Sequence, residues 1–418
     1  MNIDKKKILI IGSSAKEYAL VRKLQEYGSE VVVAPGNSMI KEITECVDIR
    51  ESNVKELLEY VLENAIDFTI ACSLQSIKAD IASLFNLNGQ MIFAPSLKSA
   101  DVLISRALTK KMLYRLKVPS PKFAVYDKLQ NAVEYLKTAY FPQVISAEKP
   151  FDGQDRLVCA TFTEAKTFVE DLFFKGEEKV VLEDYVYGHE FTIYFVTDGY
   201  HVLPLNTVAN YKFLRDCDGG LLTSGIGAFS PDYKVSSNIE NDVLSNVVNN
   251  FLQILVKKET PYIGILGVDA VLQEDGKYFV LGFKHFLSDH DADVVLSLVD
   301  ENLLELFSAC AVGSFADDYT GLKISDNASV SCVLSASQKG KVISGLDLID
   351  STFTPFAISK NKYLEYETIE GKNIVISNTA KTLSRARKNL YDDIDVITYD
   401  GKKYRKDICE LKISEGLL

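Results

Sequence analysis

The chain has 418 residues, of which 47% are hydrophobic, and its formal net charge is −12. This length and composition predict a folded globular protein of roughly two to four units of ordinary domain size. The acidic balance argues against a surface that coats nucleic acid. No run approaches about 18 apolar residues, so we expect no membrane-spanning helix.

Seven cysteines are scattered along the chain without the C-x-x-C spacing of a metal or redox motif. We therefore expect buried, unpaired thiols in a cytoplasmic protein. The apolar run between Lys7 and Gly12 is too short for the core of a signal peptide, and it indicates a buried strand instead.

The first hundred residues alternate between apolar runs and helical spacing. Lys7–Ile11 and Val31–Val33 predict strands, and Ala15–Tyr27 between them has the apolar spacing of a helix. This order is typical of the start of a doubly wound sheet, where the turn after the first strand can hold a phosphate. Further strands are predicted at 66–71 and 91–94, with a helix at 77–86 between them.

The most unusual segment is the glycine-rich stretch NYKFLRDCDGGLLTSGIGAFSP at 210–231. Its two glycine clusters allow positive φ angles and let a ligand approach main-chain N–H groups closely. On composition alone, a long β-hairpin connection explains it. The remaining predicted elements are strands at 264–272, 278–283, 329–336 and 373–377, and helices at 241–258 and 381–391.

The stretch at 210–231 resembles a sequence motif of the phosphoribosylamine–glycine ligase (glycinamide ribonucleotide synthetase) family of ATP-grasp enzymes. That family reads roughly DHKR…D.DTGPNTGGMGAYSP at this place. The chain matches it at Lys212, Asp216, Asp218, Gly220, Thr223, Gly225, Gly227, Ala228, Ser230 and Pro231. Further similarity covers nearly the whole chain and is strongest at 105–121, 180–231 and 402–408.

The resemblance implies a mixed α/β and α+β architecture of three units. The first, 1–104, is an N-terminal doubly wound parallel sheet, or Rossmann-like domain. The second, 105–325, is an ATP-grasp fold with a small lid at about 120–190. The third, 326–418, is a C-terminal mixed α/β domain.

The resemblance also implies the positions of the candidate site residues. The candidate catalytic residues are Asp216, Asp289 and Lys284. The candidate cofactor-binding residues, for an adenine nucleotide, are Arg106, Glu183, Val186, Glu190 and Lys212. The candidate substrate-binding residues are Glu17, Asn37, Gly220, Thr223 and Gly225.

The chain departs from the family where phosphates and metal are held. Ser146 and Gln154 stand where the family has lid lysines that clamp phosphates, and Leu74 stands in the loop that binds phosphoribosylamine. Gly282 and Lys284 stand where the family has the Glu and Asn that hold magnesium. An ammonium group about 4 Å from Mg²⁺ repels it by roughly 8 kcal/mol at an effective dielectric constant near 20. We therefore expect no Mg²⁺ at the family site, and only weak, Mg²⁺-independent binding of ATP.

Neighbouring residues offer substitutes for the missing groups. Lys149 or Arg156 could replace a lid lysine, but a neighbour on a strand points to the opposite face, so we expect solvated charges there. The acidic cluster 289–293 could bind a cation, but a helix start with Asp289 as its N-cap explains it more simply.

Three functions remain open at this point. The first is a diverged family member that has lost or strongly altered the ligation of glycine to phosphoribosylamine and serves a binding or regulatory role with a protein partner. The second is a working phosphoribosylamine–glycine ligase with a substitute metal site. The third is an ATP-grasp enzyme for another carboxylate and amine. In each case we expect a small-molecule ligand, namely an adenine nucleotide with a ribose phosphate or an amino acid, and neither nucleic acid nor membrane.

Overall fold

The structure is a computed structural model that describes residues 6–149 and 155–410. Residues 150–154, which include Gln154 at the position of a family lysine, lie outside the described residues.

The N-terminal unit is a parallel sheet with helices around it. Its strands are β1 (Lys7–Gly12), β2 (Glu30–Pro35), β3 (Glu45–Cys46), β4 (Phe68–Ala71) and β5 (Ile92–Phe93), in the order β3-β2-β1-β4-β5. Its helices are α1 (Ala15–Gln25), α2 (Val54–Glu63), α3 (Leu74–Lys78), α4 (Ile81–Leu87) and α5 (Leu97–Ile104). The apolar residues of β1 are buried, as in other sheets that helices cover on both faces. The single helix expected at 77–86 is two helices, since Asp80 between them has a φ of 55°.

A small antiparallel sheet forms the lid. After α6 (Arg106–Leu116) come β6 (Phe123–Tyr126), α7 (Leu129–Leu136), β7 (Gln143–Ala147), β8 (Arg156–Cys159), α8 (Phe162–Phe174) and β9 (Val180–Asp184). The strand order is β6-β9-β7-β8. Helices α7 and α8 pack together over an apolar core that includes Ile145, Val169 and Leu182.

The central sheet has eight strands. The strands that follow the lid are β10 (His189–Thr197), β11 (Val202–Arg215), β12 (Gly219–Ser230), β13 (Gly264–Leu272), β14 (Tyr278–Lys284), β15 (Ala328–Ala336), β16 (Thr352–Pro355), β17 (Ile358–Lys360), β18 (Tyr366–Thr368) and β19 (Gly371–Ala380). Eight of them form one sheet in the order β14-β13-β10-β11-β12-β15-β19-β16, while β17 and β18 pair separately. The stretch at 210–231 is the β11–β12 hairpin, so the interpretation from composition is confirmed.

The remaining helices cover this sheet. They are α9 (Ser237–Asp242), α10 (Asn249–Lys257), α11 (Ala292–Leu296), α12 (Leu303–Val312), α13 (Phe315–Asp318) and α14 (Leu383–Val396). A π-helical turn, Val243–Val248, joins α9 to α10 within the helix expected at 241–258.

The predicted fold class is confirmed, because a parallel N-terminal sheet precedes a large antiparallel sheet with a lid. The C-terminal strands continue the central sheet, since β15 pairs with β12 over four residues from Gly227 to Ser230. One apolar core extends from Ile8 in β1 through Phe229 to Leu390 in α14. The domain limits at 104 and 325 stay a prediction.

Two expectations from composition can be compared with this fold. No helix among the described residues is both long and apolar enough to cross a membrane. All seven cysteines are free, but the expectation of buried thiols is wrong for Cys217, which is exposed, and only partly correct for Cys46, which is half-buried. Cys217 lies at the tip of the hairpin, where no core can cover it.

Candidate nucleotide-binding site

The candidate site lies where the lid faces the central sheet. Along β10, Glu190, Thr192 and Tyr194 alternate with the core residues Phe191 and Ile193. Side chains two residues apart lie on the same face of a strand. Glu190, Thr192 and Tyr194 therefore share one face of the central sheet with side chains from β11, β13 and β14. This face therefore collects polar groups on an otherwise apolar sheet.

A network of five charged side chains occupies this face. The ammonium group of Lys284 lies 3.1 Å from Oδ1 of Asp269 and 3.7 Å from Oδ2 of Asp291. The ammonium group of Lys212 lies 2.9 Å from Oε2 of Glu190 and 3.4 Å from Oδ2 of Asp269. Asp269 therefore bridges two lysines, and both candidate lysines are already paired within the protein.

Protonation in the network follows from burial and neighbouring charge. Burial raises the pKa of Asp269, but the ammonium groups of Lys212 and Lys284 outweigh burial and hold that pKa well below its usual range. Burial lowers the pKa of Lys284, while Asp269 and Asp291 more than offset this effect. Lys284 and Asp269 are therefore both charged at neutral pH.

These side chains do not fit a divalent ion as they are arranged. A Mg²⁺ site needs oxygen ligands that converge on one point. Here the ammonium group of Lys284 lies between the carboxylates of Asp269 and Asp291. Within 6–149 and 155–410, no group of three or more His, Cys, Asp or Glu side chains is placed to hold a metal ion. The cation between these carboxylates is thus an amino-acid side chain.

A second part of the site is a cationic cavity of about 190 Å³ below the lid. Arg106, Lys110 and Arg156 line it together with Gly282 and two carboxylates, Glu183 and Asp269. Lys110 forms an ion pair with Glu183. Burial lowers the pKa of Lys110, although Glu183 opposes the shift. Such a cavity is suited to phosphate oxygens, which cationic side chains bind strongly.

Arg106 and Arg156 reach this cavity from different elements. Arg106 begins α6 and contacts the lid, with Nη2 at 2.8 Å from Asp155 Oδ2 and Nη1 at 2.9 Å from the carbonyl oxygen of Ala147. Arg156 lies directly opposite Ser146 in the β7–β8 pair. Directly opposite side chains share a face of the sheet. The expectation that Arg156 would point to the face opposite Ser146 is therefore wrong. Arg156 is the first residue of the adjacent strand β8, and it is paired with Ser146 across the sheet.

The adenine side of the site is closed. Glu183, Val186 and Glu190 line one cavity, as the sequence predicts for nucleotide contacts, but its volume is about 20 Å³. Arg156 and Leu222 also line it, so the lid and the hairpin both fill this space. A volume near that of one water molecule does not admit a purine ring. A base at this position would therefore require the lid or the hairpin to move, whereas Glu190 and Lys212 also line a neighbouring cavity of about 550 Å³.

His290 occupies the space beside Gly225. A Cβ atom at Gly225, which has a φ of +119°, would lie 2.1 Å from the His290 ring. The ring is buried, and its Nε2 lies 3.0 Å from Oδ1 of Asn210. Burial and the charge of Lys284 hold the pKa of His290 well below its usual range, so the ring is neutral. Gly225 thus serves close packing in this structure.

Glu17, Asn37 and Asp289 lie at the N-terminal sheet. Glu17 accepts hydrogen bonds from the backbone and hydroxyl of Ser14, which caps α1. It thereby occupies the helix start that a phosphate could use. Asn37 donates to the carbonyl oxygen of Ser13 at 2.8 Å. Asp289 accepts from the backbone of Lys16 at 3.0 Å, and α11 begins at Ala292, so Asp289 is not its N-cap.

Asp216, Gly220 and Thr223 lie on the β11–β12 hairpin. Asp216 accepts a hydrogen bond from the backbone of Lys406 at 2.8 Å, so it joins the hairpin tip to the C-terminal segment. Gly220 has a φ of +80° at the turn. Thr223 donates to the carbonyl oxygen of Lys212 at 2.7 Å. The catalytic and substrate assignments of these residues stay predictions.

Sequence patterns gave no functional role to Asp269 or to the buried Arg405. Asp269 lies opposite Gly282 in the β13–β14 pair, and a carboxylate inside the apolar run GILGVDAVL was its signal. Arg405 pairs with Asp218 at 2.8 Å and with Asp407 at 2.5 Å. The family resemblance at 402–408 includes Arg405 but indicates no role for this residue.

A parallel N-terminal sheet, a central antiparallel sheet and a lid over a cationic cavity define an ATP-grasp protein. The family model for the N domain of phosphoribosylglycinamide synthetase matches residues 6–102, and the model for its ATP-grasp (A) domain matches residues 104–292. The chain belongs to the phosphoribosylglycinamide synthetase family.

Similar proteins match the chain over nearly its full length. It is 29% identical to the phosphoribosylamine–glycine ligase of Caldanaerobacter subterraneus subsp. tengcongensis, over 96% of this chain and 99% of that protein. The structure of phosphoribosylamine–glycine ligase from Thermotoga maritima aligns with a TM-score of 0.80 at 21% identity, over 96% of this chain and 100% of the other. The biotin carboxylase domain of Hydrogenobacter thermophilus 2-oxoglutarate carboxylase, solved with MgADP, aligns with a TM-score of 0.72 at 14% identity, over 96% and 91%. Both structural matches concern the fold alone.

Proposed function

We propose that this protein binds an adenine nucleotide between the lid and β14 and is an ATP-dependent carboxylate–amine ligase of the phosphoribosylamine–glycine type. The observation that carries this proposal is the cavity lined by Arg106, Lys110 and Arg156. It places cationic side chains next to Gly282, the family position for a metal ligand. Full-length similarity to phosphoribosylamine–glycine ligases supports the same reaction.

In the proposed reaction, ATP phosphorylates a carboxylate and an amine then displaces the phosphate. The protein must stabilise negative charge on the transferring phosphoryl group. Arg156 and Arg106 would bind phosphate oxygens from the lid side. On the sheet side, Lys284 and Lys212 would contact phosphate only by giving up part of their pairing with Asp269 and Glu190.

A nucleotide-binding protein without ligation is a second candidate. The specific observation in its favour is Lys284, whose ammonium group is fixed between Asp269 and Asp291. The closed adenine cavity supports the same view, since the resting protein does not admit the base. A regulatory role with a protein partner would then replace catalysis.

One assay separates the two candidates. The purified chain is incubated with ATP, glycine and phosphoribosylamine, with and without Mg²⁺, and glycinamide ribonucleotide is quantified by mass spectrometry. We expect product that requires all three substrates and falls at least about tenfold in Arg156→Ala, since one tenfold step corresponds to the loss of about 1.4 kcal/mol of transition-state binding. Lys149→Ala is the matched control, because Lys149 is an exposed lid lysine that does not line the cavity.

Absence of product together with calorimetric binding of ATP would reject ligation and support the binding role. Absence of both product and nucleotide binding would reject the two candidates together.

A further inference from the structure

A groove lies on the far side of the joint between α6 and β6. Its volume is about 920 Å³, within the range of ligand-binding clefts. The apolar residues that line it are Tyr114, Val118, Pro119, Pro121, Phe123 and Phe279. We call it the hinge groove, because it lies where the chain passes from α6 into the lid.

The hinge groove exposes an aromatic side chain to solvent. Tyr114 is 78% exposed, although it lies beside the half-buried Phe123 and Phe279. Large aromatic side chains at the surface contribute strongly to recognition when a partner buries them. This surface therefore has the composition of a docking site.

The charge around the hinge groove is opposite to that of the whole chain. Arg115, Lys117 and Lys122 line it, all three are exposed, and no carboxylate lines it. The protein as a whole has 58 acidic and 46 basic residues. In the described part of the chain, none of these three side chains forms an ion pair. A local excess of positive charge favours a partner that presents acidic side chains.

The walls of the groove are rigid. Pro119 and Pro121 restrict the backbone of the joint. The carbonyl oxygen of Pro119 accepts a hydrogen bond from the backbone of Val280 in β14 at 2.8 Å. Preformed walls lower the entropic cost of binding. The same bond connects the groove to the strand that carries Gly282 and Lys284.

We propose that the hinge groove binds an acidic peptide segment of a partner protein that also presents an aromatic or aliphatic side chain. The apolar side chain lies against Tyr114, Phe123 and Phe279, and carboxylates pair with Arg115 and Lys122. None of the groove residues lines the cationic cavity, and Pro121 is shared with the small cavity at Glu183 and Val186.

The test is a selection of random displayed peptides, about ten residues long, against the full chain. Peptides of that length span about 30 Å when extended. Enriched peptides are synthesised with a fluorescent label, and their affinity is measured by fluorescence anisotropy. We expect sequences that combine Asp or Glu with Phe, Leu or Trp. Their affinity should fall at least about tenfold in Arg115→Glu/Lys122→Glu, because this change reverses both charges that pair with the peptide. It should fall by a similar factor in Tyr114→Ala, because this change removes an exposed aromatic contact.

Lys257→Glu is the matched control, because Lys257 is an exposed lysine in the last turn of α10, as Arg115 is in α6. If circular dichroism shows that the Arg115→Glu/Lys122→Glu variant is unfolded, the Arg115→Gln/Lys122→Gln variant is used in its place. No enrichment, enrichment without acidic residues, or affinity unchanged in the groove variants would overturn the proposal. Binding of phosphatidylserine vesicles with the same dependence on Arg115 and Lys122, and none of peptides, would overturn it in favour of a membrane contact.

Discussion

The ammonium group of Lys284 lies 3.1 Å from a carboxylate oxygen of Asp269, and the two residues lie on the paired strands β14 and β13. Asp269 is directly opposite Gly282, where the family has a carboxylate for metal. A carboxylate thus reaches the same region from the neighbouring strand, and the side chain of Lys284 provides its counter-ion. The first two predictions follow from this pair.

Replacing Lys284 with methionine should destabilise the protein. The change leaves Asp291 without its cation and Asp269 with Lys212 alone. Removal of one partner from a buried ion pair costs about 3–5 kcal/mol, and we expect about 3 because Lys212 remains. Urea unfolding at pH 7 measures the change, and Lys284→Met/Asp269→Asn should recover part of the loss. An equal or larger loss in the double variant would contradict this account.

The double change Gly282→Glu and Lys284→Asn should create affinity for Mg²⁺. A Cβ atom at Gly282 meets only Thr109 Cγ2, at 3.6 Å, so the site has room for a side chain. The change adds one carboxylate and removes the ammonium group, and Mg²⁺ prefers oxygen ligands. Calorimetry should show Mg²⁺ binding by the variant at least about tenfold tighter than by the unmodified chain, or about 1.4 kcal/mol. Equal affinities would show that Lys284 does not control the metal position.

Shortening Leu222 should open the adenine cavity. Leu222 on the hairpin and Arg156 on the lid both line the cavity of about 20 Å³. Leu222→Ala removes a side chain that a base would have to displace, so ATP affinity should rise by about tenfold, roughly 1.4 kcal/mol. Leu221→Ala is the control, since its side chain is 64% exposed and lies outside the cavity. An equal effect of both changes would mean that hairpin mobility, and not the cavity, limits binding.

Stability should fall in mild acid. Burial and the charge of Lys16 lower the pKa of His285 from 6.5 to about 4. The unfolded chain therefore binds this proton at a higher pH than the folded chain, so the free energy of unfolding decreases as pH falls from about 6.5 to about 4. The slope from this residue is about 1.4 kcal/mol per pH unit, and His290 adds a contribution of the same sign.

Urea unfolding between pH 4.5 and 7.5 checks this slope. In His285→Gln, the slope of the free energy of unfolding against pH should be smaller by about 1.4 kcal/mol per pH unit. His201→Gln is the control, because the His201 side chain is 58% exposed. The same slope in all three proteins would show that His285 is not buried neutral.

The main strands of the N-terminal unit and of the central sheet, the fold class and the family were accessible from the sequence by itself. Apolar periodicity depends on which residues face a core, and this is a local property that short segments such as Lys7–Gly12 display. The loss of the family's lysine at Ser146 and its carboxylate at Gly282 was equally visible, because a missing chemical group needs no coordinates.

Only the tertiary structure decided which charged groups lie beside these positions. Asp269 meets Lys284 through the register of β13 and β14, and Arg156 meets Ser146 through that of β7 and β8. A register pairs residues that are distant along the chain, and a shift by one residue would turn each side chain to the other face. The sequence shows the charges of Asp269 and Arg156, but their partners depend on how separate strands align, which no local pattern specifies.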